Sequence, residues 1–312
     1  MDDSTALLLG CGGALVTAVA AACGGWLVRG STAVPAAFWA VAAAGSLAAE
    51  MAVRAAGGLT DPAAGAAARL VSLALAVCPV MSLLGAKRPQ HGVWQFIVAS
   101  LGVVLALPAI SATLVRPGTL PDVHTLERGF LLVLLVVGWM NFIGTRHAVA
   151  ATLVTAGLAV LARAFLPLVP AAIAEAPAPR LEAVACGCLA VGAAVAAMQS
   201  AWAARRPLHA GSPVSVAGFI DRPYAALRET LGAAWTLRIA ERFNAVAAER
   251  GWPCRLHFRG LEIGGDPDDS EWHRDALRAL RALFRRFVTA DWLAHHGWPD
   301  EPAAVAPLKE GR

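Results

Sequence analysis

The chain is 312 residues long, 57% hydrophobic and only 15% charged, with a formal net charge of +4. So large an apolar share with so few charges excludes an ordinary soluble globular protein and matches an integral membrane protein. The charge is unevenly placed, 18 charged side chains in residues 1–204 against 30 in the remainder, and the latter interleaves 16 Lys/Arg with 14 Asp/Glu. Two differently solvated parts are therefore expected, and the dense basic footprint of a nucleic-acid binder is excluded.

A membrane span needs about 20 mostly apolar residues, because inside the bilayer every backbone polar group must be satisfied within the helix. Seven segments qualify, at roughly 6–28, 33–53, 66–86, 93–115, 128–145, 148–170 and 181–204. Pro79 interrupts the third, and Arg163 and Pro167 interrupt the sixth, so the number is six or seven. The first run begins Met1-Asp2-Asp3 and lacks the positive flank of a signal peptide, which favours an external N-terminus over cleavage. With seven spans, Arg29, Lys87, Arg88, Arg146, Arg205 and Arg206 flank the inner side against Arg54, Arg69, Arg116, Arg128 and Arg180 outside. That balance gives a slight preference for a cytoplasmic C-terminus. Small residues recur at four-residue spacing, as in Gly13, Thr17, Ala21 and Gly25, and predict close helix packing rather than a specific dimer motif.

Beyond residue 204 the pattern changes. Pro213–Ile220 and Cys254–Ile263 read as extended chain. Between them Asp221 is placed to cap one helix with an apolar stripe from Tyr224 through Leu231 and Trp235 to Val246, stopped by Gly251 and Pro253. A second helix is predicted from the Asp268–Glu271 capping-box spacing to about Ala294. The expectation is an all-α transmembrane helical bundle of about seven spans (1–204), a small cytoplasmic α+β domain with two amphipathic helices (205–297), and a flexible tail (298–312).

Two groups of residues are candidates for function. Glu50 and Arg163 are ionisable groups inside apolar spans, where each costs roughly 2.5–3.5 kcal/mol on insertion scales, so a Glu50–Arg163 pair or an ion path is one reading and interfacial snorkelling the other. On the last helix Arg274, Arg278, Arg281 and Arg285 share a face, which Arg255 and Arg259 of the preceding extended segment could enlarge with His257. Such a basic face beside a membrane suits anionic lipid head groups or a protein partner; the plainer reading is a solvated face with Glu271 and Asp275 as counter-charges. No phosphate loop, nucleophile elbow, dinucleotide fingerprint or i, i+4 histidine pair is present, so no cofactor and no metal is expected and no catalytic residue is named. Cys11, Cys23, Cys78, Cys186 and Cys188 lie in apolar runs and Cys254 stands alone, giving no disulfide framework.

The run Leu84-Gly-Ala-Lys-Arg-Pro-Gln-His-Gly-Val-Trp94-Gln-Phe-Ile-Val through Ile110 resembles a family of uncharacterised bacterial multi-pass membrane proteins, as do Arg242-Phe243-Asn244, Gly251-Trp252-Pro253 and Leu256–Gly260. The family's typical form has Trp where this chain has Gly102. The resemblance implies a bacterial inner-membrane location and no assigned activity. Read from the residues, Lys87–Gln90 is a basic helix-stopping loop and Trp94 an interfacial anchor. The leading functional expectation is a non-enzymatic scaffold or interaction protein with a membrane-proximal basic domain. A transporter or channel component using Glu50 and Arg163 comes second, and a membrane-associated enzyme third.

Overall fold

The computed structural model describes residues 2–85, 87, 91–167, 178–205, 216–264 and 271–298. Six of its helices are long and apolar enough to cross a membrane. They are α1 (Asp3–Leu27), α2 (Val34–Ala55), α3 (Pro62–Leu84), α4 (His91–Ile110, continued by a π-turn over Ser111–Val115), α5 (Thr125–Ile143) and α7 (Pro179–Arg205). The remaining apolar segment forms α6 (Ala148–Leu161), only 14 residues long, followed by a 3₁₀ turn over Arg163–Phe165. The expected run of 148–170 thus stops as a helix at Leu161, just before the arginine that was its suspect residue.

Local chemistry sets several of the starts. Pro62 opens α3 behind Asp61, whose carboxylate accepts the Ala63 amide at 3.0 Å. The His124 ring accepts the Leu126 amide while Glu127 accepts the His124 amide, a reciprocal cap for α5. Packing then relies on small residues. A Cβ on Gly13 would lie 3.0 Å from the Cys186 backbone of α7, and one on Gly25 2.8 Å from Ala37 of α2, so the small ridge of α1 wedges between those two helices. Met51, Leu70, Leu73, Val77 and Leu131 form the centre of the bundle core.

The C-terminal lobe consists of α8 (Val216–Leu231), α9 (Ala233–Arg250), a hairpin of β1 (Cys254–His257) and β2 (Gly260–Ile263), α10 (Glu271–Phe284) and α11 (Ala290–His295). The hairpin is antiparallel with Cys254 opposite Ile263 and Arg255 opposite Glu262. Three expectations are corrected. Residues 216–220 are helical rather than extended, and Asp221 lies inside α8, where its carboxylate accepts the Leu261 amide at 2.6 Å instead of capping a helix. The single helix expected from Asp221 to Gly251 is two, broken at Gly232, whose φ of +81° is a left-handed conformation that glycine tolerates best. The last helix ends at Phe284 rather than near Ala294, and α11 restarts behind a Thr289 cap. Trp298, placed by the sequence in a loose tail, is buried against Phe219 and Phe284; the rest of that tail, 299–312, lies outside the described residues. Tyr224, Leu227, Leu231, Phe243, Leu280 and Phe284 are the centre of the lobe's core.

Lobe and bundle meet along a hydrogen-bonded seam. Asn141, near the end of α5, donates to the Leu231 carbonyl and accepts the Ala234 amide, both at 3.0 Å, so a membrane-helix side chain caps the end of α8 and the start of α9. A side chain on Gly232 would collide with that amide. Trp235 donates to the Leu83 carbonyl at 2.6 Å, packs at a tilt against Phe287, and has the Lys87 ammonium and the Arg238 guanidinium 5.2 and 5.0 Å from its ring. The α1–α2 loop pairs with the chain after α10: Thr32 donates to Phe287 and Thr289 to Gly30, at 2.9 and 2.7 Å, around a Ser31–Val288 bridge. Ala33 is buried within the lobe's core, and Val28 and Leu83 pack on it.

Candidate functional site

At the opposite end of the bundle five charged side chains converge. Glu50 stands in the last turns of α2, Arg54 one turn on, Arg69 in the second turn of α3, Arg163 just beyond α6, and Glu182 in the first turn of α7. This is the end at which α1 begins, since Gly10 lies against Met51 and Ala183. Arg69 holds Glu50 in a forked contact, Nε to both carboxylate oxygens at 3.0 and 2.8 Å and Nη2 to Oε1 at 2.7 Å. The same Nη2 reaches Glu182 Oε2 at 3.1 Å. Arg54 donates to Glu182 at 2.7 Å and more distantly to Glu50 at 3.4 Å, and Arg163 to Glu182 at 3.4 Å and to the Val160 carbonyl at 3.2 Å.

The side chains of Glu50, Arg69 and Glu182 are 2%, 8% and 7% exposed, so the attraction is little screened and the desolvation cost is correspondingly high. Bidentate geometry and the α7 N-terminus behind Glu182 help offset that cost. Among the described residues, three guanidiniums and two carboxylates meet here.

The expected Glu50–Arg163 pair is therefore corrected. Glu50 takes Arg69 as its main partner and Arg163 pairs with Glu182, which Arg54 and Arg69 share. Neither snorkels alone. Sequence reading counted Arg69 and Arg54 as flanking charges and passed over Glu182. The available signal was that Arg69 and Glu182 fall within the span limits 66–86 and 181–204.

A cavity of about 320 Å³ runs through the bundle from Arg69 towards His147. Its walls come from α1, α2, α3, α5, α6 and α7 and are mainly Ala, Val and Leu, with Thr17, Ser72 and Thr155 as the hydroxyls. Along α3 it extends from Arg69 to Leu83, fourteen residues or roughly 21 Å of helix.

His147 closes the lobe end. Arg146 Nε donates to its Nε2 at 3.3 Å, so Nδ1 carries the proton and donates to Gln199 at 2.9 Å. Burial, then the neighbouring Arg146, hold its pKa below the usual 6.5 in spite of Glu229 and Gln199. His296, half-buried beside Trp292, is shifted the same way. With the folded-state pKa depressed, the unfolded chain takes up the proton first, so stability is present above about pH 6.5 and falls as the pH drops below it. The melting temperature of the detergent-solubilised protein is expected to fall between about pH 7.5 and about pH 5.5, and to fall less in His147→Gln. An identical drop in that variant would remove His147 from the explanation.

The basic face of the lobe is assembled more loosely than its helical spacing implies. Arg274, Arg278 and Arg285 are exposed and Arg281 is half-buried, with Arg285 just past the end of α10. Arg278 is tied to Asp275 at 3.1 Å, which Arg250 also approaches at 3.7 Å. Arg255 and Arg259 are exposed on the hairpin, and His257 Nε2 lies 2.9 Å from Glu262 at the surface. Val288 and Thr289 touch the α1–α2 loop, so α10 approaches the bundle with its C-terminal end and Arg285 lies nearest in the chain to the seam.

No protein-family model, curated protein or solved structure matches the chain. The resemblance therefore rests on the residues that carry it, 84–110, 242–244, 251–253 and 256–260.

Proposed function

We propose that the chain is a multi-pass bacterial inner-membrane protein of seven crossings, with α6 the shortest, and that its C-terminal lobe is a cytoplasmic, non-enzymatic interaction platform held in fixed orientation on the bundle. The observation that carries the reading is the seam, in which Asn141 caps two lobe helices and Trp235 is hydrogen-bonded to the end of α3. A flexible tether would need neither. Arg29, Lys87, Arg146 and Arg238 gather on the lobe side, as do the exposed Trp26 and Trp202, which supports placing that side at the cytoplasmic interface. Three of the five cationic flanks assigned to the other side are Arg54, Arg69 and Arg180, and the first two are consumed by carboxylates.

Fixed orientation makes the basic face useful, because Arg274, Arg278, Arg281 and Arg285 with Arg255 and Arg259 then act at a constant distance from anionic lipid or a protein partner. Native mass spectrometry of the full chain released from nanodiscs tests this. Phosphatidylglycerol adducts are expected on the wild type and largely lost when Arg274, Arg278 and Arg285 are changed to Glu, at about 1 kcal/mol per charge near the surface. Undiminished adducts on that triple variant would overturn the lipid contact.

One observation favours the second reading, a bundle that accepts a solute through Glu50 and Arg163: the cavity ends on Arg69 of their cluster. The walls, however, offer a hydrated ion little beyond three hydroxyls, of which Thr17 and Ser72 are already bonded to carbonyls of their own helices.

A further inference from the structure

The bundle cavity joins hydrocarbon walls to one unused donor. Alanines on facing helices, among them Ala44 of α2, Ala76 of α3, Ala151 of α6 and Ala193 of α7, leave a space that longer side chains would have closed. At about 320 Å³ it is far larger than one water molecule, and walls of this kind hold water poorly, so an apolar body suits it. Among the described residues lining it, Arg69 is the only charged one, and it is 6% exposed. Arg69 gives Nε and Nη2 to Glu50 and Glu182, while its Nη1 makes no hydrogen bond to any described residue. That nitrogen is not sealed inside the protein, so its N–H groups open on the cavity that Arg69 lines. Glu50 and Glu182 stand behind Arg69 and form no part of the described walls.

We propose that the cavity binds a neutral single-chain lipid, a long-chain acyl ester, whose carbonyl oxygen accepts from Arg69 Nη1 and whose alkyl chain lies along α3 towards Leu83. Hydrogen bonding selects the head group. At that end the ligand meets a donor with no carboxylate beside it on the wall, which suits an oxygen that only accepts; an alcohol would bring an O–H of its own and leave it without a partner there. An ionised acid would set a third carboxylate on a guanidinium that already holds two, after losing its own hydration, whereas an ester carbonyl gives up far less water. The apolar walls select the tail, since a short polar carbonyl compound gains nothing from them. Length fits as well, because the cavity follows α3 for roughly 21 Å from Arg69 to Leu83. Its volume is at the low end for ligand pockets and suits one chain rather than two. This inference is independent of the platform reading of the lobe.

The test uses the full chain in nanodiscs with the methyl ester of cis-parinaric acid, a fluorescent long-chain ester, as probe, and protein-free nanodiscs as the blank. At equal mole fraction in the disc, methyl oleate is expected to displace the probe at least roughly tenfold more effectively than octadecene, which has the chain without the oxygen, and more effectively than ionised oleate. Ala76→Phe and Ala193→Phe, which project a ring into the cavity from α3 and α7, are expected to weaken probe binding about tenfold or more. Val191→Phe, on the exposed face of α7, should leave it unchanged. Equal displacement by ester and hydrocarbon would remove the bond to Arg69, and stronger displacement by oleate would remove the neutral head; either overturns the proposal and needs only the wild type. Wild-type affinity in both cavity variants, eluting as the wild type does, would overturn it as well.

Discussion

Replacing Glu182 by glutamine is expected to lower the stability of the bundle by about 3–5 kcal/mol, the usual penalty for removing one partner of a buried ion pair. The physical reason is the count of charges. Glu182 is the carboxylate shared by Arg54, Arg69 and Arg163, and without it Glu50 is the one carboxylate left to this cluster among the described residues. The loss is read as the midpoint of unfolding when the detergent-solubilised protein is titrated with dodecyl sulfate. Removing Glu50 and Arg69 together, as Glu50→Leu with Arg69→Met, is expected to cost less than the sum of the two single changes, because no charge is left behind by its own partner. Strict additivity of those changes would mean that the cluster does not act as a unit.

The second large effect belongs to the seam. Trp235→Ala removes a buried indole, its hydrogen bond to Leu83 and its cation–π contacts with Lys87 and Arg238, and is expected to cost about 3–5 kcal/mol. Asn141→Leu is expected to cost about 2–4 kcal/mol, since it leaves the Leu231 carbonyl and the Ala234 amide without their side-chain partner. The two should differ in character. The side-chain hydrogen bonds of Asn141 go to the α8–α9 junction, so its loss is expected to show as new proteolytic cleavage near Gly232, with the bundle still folded. A variant as resistant as the wild type would mean that the junction holds without its cap.

Much of the bundle was legible because twenty-residue apolar runs bounded by Arg, Pro and Gly leave few alternatives. The cluster was only half legible. Glu50 and Arg163 were conspicuous in their spans, whereas Arg69 and Glu182 lie within two turns of helix starts, and one sequence cannot distinguish a flanking charge from a buried one. The lobe misled for a different reason. The apolar stripe from Tyr224 to Val246 continues without interruption across Gly232, because α8 and α9 both turn their apolar faces to the same core. What breaks the helix is Asn141, a side chain about ninety positions away that replaces the missing backbone partners. The break after Phe284 has a similar origin, in pairing of Phe287 and Thr289 with the α1–α2 loop. Local pattern carries no record of either contact.

Hydrogen exchange of the full chain in lipid nanodiscs tests most directly whether lobe and bundle are one unit. The amides of Thr32, Ala234 and Thr289 cross or stabilise the seam and are expected to exchange as slowly as those at the core of α9 around Phe243. Exchange of these three at the rate of free loops, with the α9 core still protected, would contradict the docked arrangement.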